Sequence, residues 1–207
     1  MVWYIDIIIY FWELLKHWVY TLVVIPFKEP QLLWLLIPVW LSGAFAEFFQ
    51  EKTGTSMGNA TSNATVVLWG SIDWTRQTVS LLSQKVIGGF ANLLLRFFFI
   101  AIVFIYGFSI VVFGIKGNKI IKKIGRVREV TYVIAIFTPV LYGVMTLTAS
   151  HIIAAVLFFP LFYGVIELID KITPNPKPIE EDIEEGKEAG GGLDSFDSKM
   201  GKDEFKF

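Results

Sequence analysis

Apolar positions along this chain gather into five runs, at residues 3–25, 31–49, 90–113, 130–148 and 152–169. Each approaches or reaches the ~20 residues that a helix needs to cross ~30 Å of hydrocarbon. The first run is interrupted by Asp6, Tyr10, Glu13, His17 and Tyr20. They recur every three or four residues, which puts them on one stripe of an α-helix. That stripe predicts either a crossing helix with a polar face toward the bundle interior or a helix lying in the membrane interface.

Residues 26–30, PFKEP, read as a sharp connection, because each proline lacks a donor and disfavours helix in the residue before it. In the second run Pro38 predicts a kink, and Ser42, Gly43 and Ala44 form a patch for close helix approach. Residues 50–65, QEKTGTSMGNATSNAT, have loop composition. Residues 66–87 read as an amphipathic surface helix with Ser71 and Asp73 as candidate N-caps. The last two runs are separated only by Ala149, Ser150 and His151, which predicts a tight antiparallel hairpin with its tip there.

The expected fold class is therefore all-α: an integral membrane bundle of about five transmembrane helices, or four if the first lies in the interface. Composition supports this, since 54% of the 207 residues are apolar, beyond what an ordinary soluble domain carries. Charge adds orientation. Residues 116–128, KGNKIIKKIGRVR, hold six lysines and arginines between two apolar runs, and such loops stay on the cytoplasmic side. Counting outward from there predicts the N-terminus and residues 50–89 outside the cytoplasm of a cell-membrane protein, or, if the first helix is interfacial, both termini inside. The C-terminal tail falls inside.

That tail divides the chain into a multi-pass domain, 1–173, and a segment, 174–207, with ten acids and five bases. Its low apolar content predicts disorder. A net charge of −5 there, against −1 for the whole chain, leaves the membrane part at +4. With no cysteine, disulfides and thiolate sites are excluded.

Candidate chemistry is sparse. No hydrolase elbow, phosphate loop or dinucleotide fingerprint occurs, so nothing specifies an enzyme, a cofactor or a nucleic-acid partner. His17 and His151 lack metal-ligand spacing. Glu47 and Arg96, each set in an apolar run, are a candidate intramembrane ion pair. The echo Pro139-Val140-Leu141-Tyr142-Gly143-Val144 and Pro160-Leu161-Phe162-Tyr163-Gly164-Val165 marks Pro139, Gly143, Pro160 and Gly164 as candidate helix breaks, of the kind transporters use to hold substrate. Asn59 and Asn63 head two glycosylation sequons. Lys116, Lys119, Lys122, Lys123, Arg126 and Arg128 are candidates for anionic-lipid contact beside the bilayer. The acidic tail is a candidate docking segment for a soluble or membrane-complex partner, and oligomerisation is open. These features together predict a non-enzymatic assembly or partner-binding component. The alternative is a small transporter or channel built on the paired prolines and the first polar stripe.

Overall fold

In a computed structural model of the chain, which describes residues 3–50 and 55–173, every regular element among the described residues is helical. Helix α1 (Trp3–Val19) continues through a π-helical turn, Tyr20–Val24, into α2 (Ile25–Lys28). After Pro30, α3 (Leu33–Phe45) ends in a second π-helical turn, Ala46–Gln50. Then follow α4 (Met57–Ser83), α5 (Phe90–Ile115), the single turn α6 (Ile121–Ile124), α7 (Val127–Leu141), α8 (Ala149–Leu157) and α9 (Phe159–Ile172). Four helical stretches, Trp3–Lys28, Pro30–Phe48, Phe90–Ile115 and Ala149–Ile172, are long and apolar enough to cross a membrane. The expected disordered tail lies outside the described residues.

Named contacts set the direction of each helix. Val67 and Thr61 of α4 lie against Gly107 and Gly114 of α5, so these two helices run antiparallel. Gly70 faces Ile134, and the Trp74 indole donates to the Thr138 hydroxyl at 3.1 Å, so α4 and α7 run parallel. Gly43 meets Thr131 and Glu47 meets Arg128, which makes α3 antiparallel to α7. The Tyr132 hydroxyl donates to the Ala155 carbonyl at 2.6 Å and Arg128 pairs with Glu167, so α8 and α9 return along α7. Finally, Phe11 packs on Phe158 and His17 on His151, so α1 is antiparallel to α8.

The chain thus reverses direction through six segments, and the first turn of α1 points to the same end as the basic loop. This corrects two expectations. The N-terminus does not point to the end opposite the basic loop, and residues 57–83 are neither a loop nor a surface helix but a core helix. Ten residues of α4 are buried, among them Ala60, Asn63, Ala64, Gly70 and Ser71. They are mostly small or polar. Small residues let helix backbones approach closely in bundles where lipid removes the ordinary hydrophobic drive. Loop composition and a helix-packing face use the same alphabet of Gly, Ala, Ser, Thr and Asn, which is why the pattern misled.

The hairpin also differs from its expected form. Helix α7 ends at Leu141, where Gly143, at φ +76°, takes the left-handed conformation that closes helix C-termini. The reversal is therefore residues 142–148, and Ala149, Ser150 and His151 open α8 rather than forming a tip. Thr148 caps that helix, its hydroxyl accepting from the His151 amide at 3.2 Å.

Candidate functional site

The described residues concentrate charge and cavity at one place, where α3 ends, α7 begins and α9 passes. The π-helical turn at Ala46–Gln50 carries Glu47 inward, and the first turn of α7 carries Arg128 toward it. Arg128 Nε donates to Glu47 Oε1 at 2.8 Å and its Nη2 reaches the same oxygen. Its Nη1 donates to Glu167 Oε2 at 2.8 Å. The pair is shielded, with side-chain exposures of 12% for Arg128 and 7% for Glu47, whereas Glu167 is 43% exposed. Tyr163 lies across the guanidinium, its ring centre 4.5 Å from the carbon, a cation–π distance. The cluster carries one cation and two carboxylates.

Beside it opens a crevice of about 530 Å³ between the α1 end of the bundle, α3, α7 and α9. Trp18, Leu22, Trp40, Phe162 and Ile166 are among its walls, and Glu47 with Arg128 supplies its charged end. Among the described residues, no group of three or more His, Asp or Glu side chains is placed to hold a metal ion.

Most sequence-derived candidates do not converge here. Glu47 pairs with Arg128, not with Arg96. The Arg96 guanidinium instead donates to Asn92 Oδ1 and to the Leu141 carbonyl, each at 3.2 Å, near the opposite end of α5. Arg128 is therefore occupied by carboxylates and leaves the lipid-contact set, while Lys116, Lys119, Lys122, Lys123 and Arg126 remain exposed. Asp6, Tyr10 and Glu13 on α1 and Tyr20 in the π-helical turn after it are exposed on the outside, so the stripe does not line an interior path. His17 alone turns inward, its Nε2 3.0 Å from His151 Nδ1, and His151 Nε2 lies 3.1 Å from the Ile136 carbonyl. Because a carbonyl only accepts, His151 carries its proton on Nε2 and His17 donates to His151.

The prolines are not paired breaks. Pro139 sits one turn from the end of α7, whereas Pro160 is the second residue of α9, a position where its missing amide costs no intrahelical bond. Gly143 reverses the chain, but Gly164 is an exposed residue within α9. Neither sequon lies on a loop. Asn59 is in the first turn of α4, and its amide donates to the Ser56 hydroxyl at 3.0 Å. Asn63 is 3% exposed, and its side-chain nitrogen donates to the Gly125 carbonyl at 2.9 Å, leaving no room for a glycan.

Sequence reasoning missed the second polar site. Asp73, 4% exposed, accepts from the Tyr142 hydroxyl at 2.5 Å and from Arg76 at 2.8 Å. The Asp73/Arg76 spacing of three on one helix was the available signal. Compared with known proteins, the chain matches no family model, no curated protein and no solved structure.

Proposed function

We propose that this chain is a non-catalytic integral membrane protein that serves as one subunit of a membrane complex, with α1 meeting the partner. The observation that carries this reading is the outward polar stripe. Glu13 and Lys16 pair at 2.5 Å on the exposed face, ten and more residues into a stretch of 26 that runs beside α8. An ionisable residue near the centre of a lipid-facing helix costs about 3 kcal/mol. A neighbouring transmembrane helix with hydrogen-bonding side chains at that depth offsets the cost, and such contacts commonly hold membrane helices together. The large apolar side chains around α1, including Trp3, Ile8 and Trp12, are compatible with a helix seated between lipid and a partner.

In this reading the basic loop faces the cytoplasm, because lysine and arginine excess sets orientation. Residues 3–28, 30–48, 57–83, 90–115, 127–141 and 149–172 then traverse the layer in alternating directions, and the acidic tail follows on the cytoplasmic side. Five exposed cations at the basic edge remain suited to anionic headgroups. No observation favours the transporter reading, since the stripe and the prolines share no common path.

A photo-crosslinking amino acid at Tyr10, with a control at Val79, tests the proposal in intact cells. A defined crosslink from position 10 to a transmembrane segment bearing a polar residue is expected, and E13L/K16L should reduce it. Crosslinking to lipid alone at position 10, equal to that at position 79, overturns the proposal.

A further inference from the structure

We propose that the crevice beside Arg96, at the end of the bundle away from the basic loop, is a binding site for a phosphate group. At its centre is a cation with no counter-ion among the described residues. Arg96 Nε donates to Asn92 Oδ1 and Nη1 to the Leu141 carbonyl, each at 3.2 Å. A guanidinium has five N–H donors, so three of them have no protein acceptor among the described residues. Leu141 ends α7, and the partial negative charge of a helix C-terminus offsets at most about half of the guanidinium charge. No other charged side chain of the described residues acts on Arg96. Away from the basic loop, residues 13–38, 71–102 and 135–157 hold the acids Glu13, Glu29 and Asp73 against the bases Lys16, Lys28, Arg76, Lys85 and Arg96, a surplus of two positive charges. Nothing nearby cancels the guanidinium.

The other polar groups of the crevice are donors as well. Asn92 lines it beside Arg96 and, with its oxygen turned to the guanidinium, presents its NH2. Thr146 and Leu147 line it from the reversal at 142–148. The Thr146 hydroxyl and the backbone amides of both residues have no hydrogen-bond partner among the described residues. Of the acceptors, the Leu141 carbonyl and Asn92 Oδ1 each already receive from Arg96. The space is about 310 Å³, at the lower end of the ~300–1,000 Å³ of small-ligand sites, with Phe99 and Phe137 among its apolar walls. Water can meet the donors, but it leaves the charge uncompensated beside apolar surface. An anion meets both demands.

Donor number and depth select phosphate. Arg96 offers three hydrogens, Asn92 two and Thr146 one, more than the roughly four lone-pair positions of a carboxylate. A phosphate monoester brings three strong acceptor oxygens on one atom, and the planar guanidinium matches them two at a time. Helix α5 has 26 residues, about 39 Å, and so exceeds ~30 Å of hydrocarbon by about 9 Å. Arg96 lies six residues past its first residue, Phe90, about 9 Å along the axis. With the overhang shared between both ends, it sits within about 5 Å of the hydrocarbon edge. Phosphates of lipid headgroups reach that level from the leaflet, and soluble phosphates reach it from the water. The site is remote from the outward stripe of α1, so it stands or falls independently of any partner there.

The test is native mass spectrometry of the full chain, delipidated in mild detergent and titrated with dioleoyl phosphatidic acid, with dioleoylglycerol, which has the same chains and no phosphate, and with inorganic phosphate. One tight phosphatidic acid per chain is expected, held roughly tenfold or more above dioleoylglycerol. Arg96→Gln, which keeps a donor for the Leu141 carbonyl, should bring the two lipids within about twofold of each other. Thr146 is an exposed residue of the reversal, so Thr146→Asp tests the site without a core change and should weaken the tight binding roughly tenfold, while Thr146→Ser leaves it unchanged. The triple variant Lys119→Gln/Lys122→Gln/Lys123→Gln removes lysine charge from the basic loop and should keep the tight site. Displacement of the lipid by an equal concentration of inorganic phosphate assigns the site to soluble phosphates, and resistance assigns it to the lipid; either upholds the proposal. Phosphatidic acid bound no more tightly than dioleoylglycerol in the absence of phosphate binding, tight binding that survives Thr146→Asp, or tight binding lost in the triple lysine variant overturns it.

Discussion

Helices α4 and α9 reverse the usual relation between polarity and burial. Helix α4, MGNATSNATVVLWGSIDWTRQTVSLLS, is rich in Ser, Thr and Asn, yet ten of its residues are buried and it packs along α5 and α7. Helix α9, FPLFYGVIELIDKI, belongs to one of the most apolar stretches of the chain, yet it buries none. In water that pairing would be perverse. In a bilayer it is coherent, because lipid solvates apolar surface as well as protein does and the interior is left to small residues and satisfied polar groups. The closeness of α4 to α7 at Gly70, and the Trp74–Thr138, Asp73–Tyr142 and Asn63–Gly125 hydrogen bonds, hold the first region together. The second is attached by the Arg128–Glu167 ion pair, the Arg126–Tyr163 hydrogen bond and ring contacts to Tyr132, among other interactions.

Substitutions can break this contrast in order of expected effect. Trp74 is fully buried, so Trp74→Ala should cost about 4 kcal/mol from cavity formation, the Thr138 hydroxyl keeping its bond to the Ile134 carbonyl. Unfolding in mixed micelles followed by circular dichroism reads it. Next, Arg128→Ala should cost about 3 kcal/mol, the low end for breaking a shielded ion pair, because it strands the Glu47 carboxylate. The double variant E47M/R128M should recover most of that loss in the same assay, since a well-packed apolar pair often replaces a buried ion pair without penalty. Asn63→Ala removes the donor to a buried carbonyl and should cost about 1–2 kcal/mol. Endoglycosidase treatment of the native chain should leave its mass unchanged. Last, Leu168→Ala on α9, where the side chain is 58% exposed, should stay within ~0.5 kcal/mol of the native chain. A loss there equal to that of Trp74→Ala would erase the distinction between the two regions.

The long helices were legible because hydrocarbon length is written in uninterrupted apolar residues. Residues 3–25, 31–49 and 90–113 reappear with boundaries shifted by a few positions, and 152–169 lies within the stretch Ala149–Ile172. Helix α4 was not legible as core, because Asn63 and Ser71 satisfy their polar groups against partners whose positions no local window contains. The Glu47–Arg128 pair joins residues 81 apart, and nothing in spacing chose Arg128 over Arg96. What distinguishes them is geometry: Arg96 sits near the opposite end of the bundle. On the first helix His17 meets His151 while Asp6, Tyr10 and Glu13 stay exposed, because a single helix pattern does not reveal which side its neighbours occupy.

Ile121 has no exposed surface and is clustered with Ala60, Ala64 and Ile110. It works as a plug that fastens the basic connection onto the underside of α4 and α5, with Lys119, Lys122 and Lys123 rising from a short, rigid mount. The backbone that carries these lysines is consequently set by the packing of Ile121. The register of this basic connection against the ends of α4 and α5 is thereby settled when the fold forms.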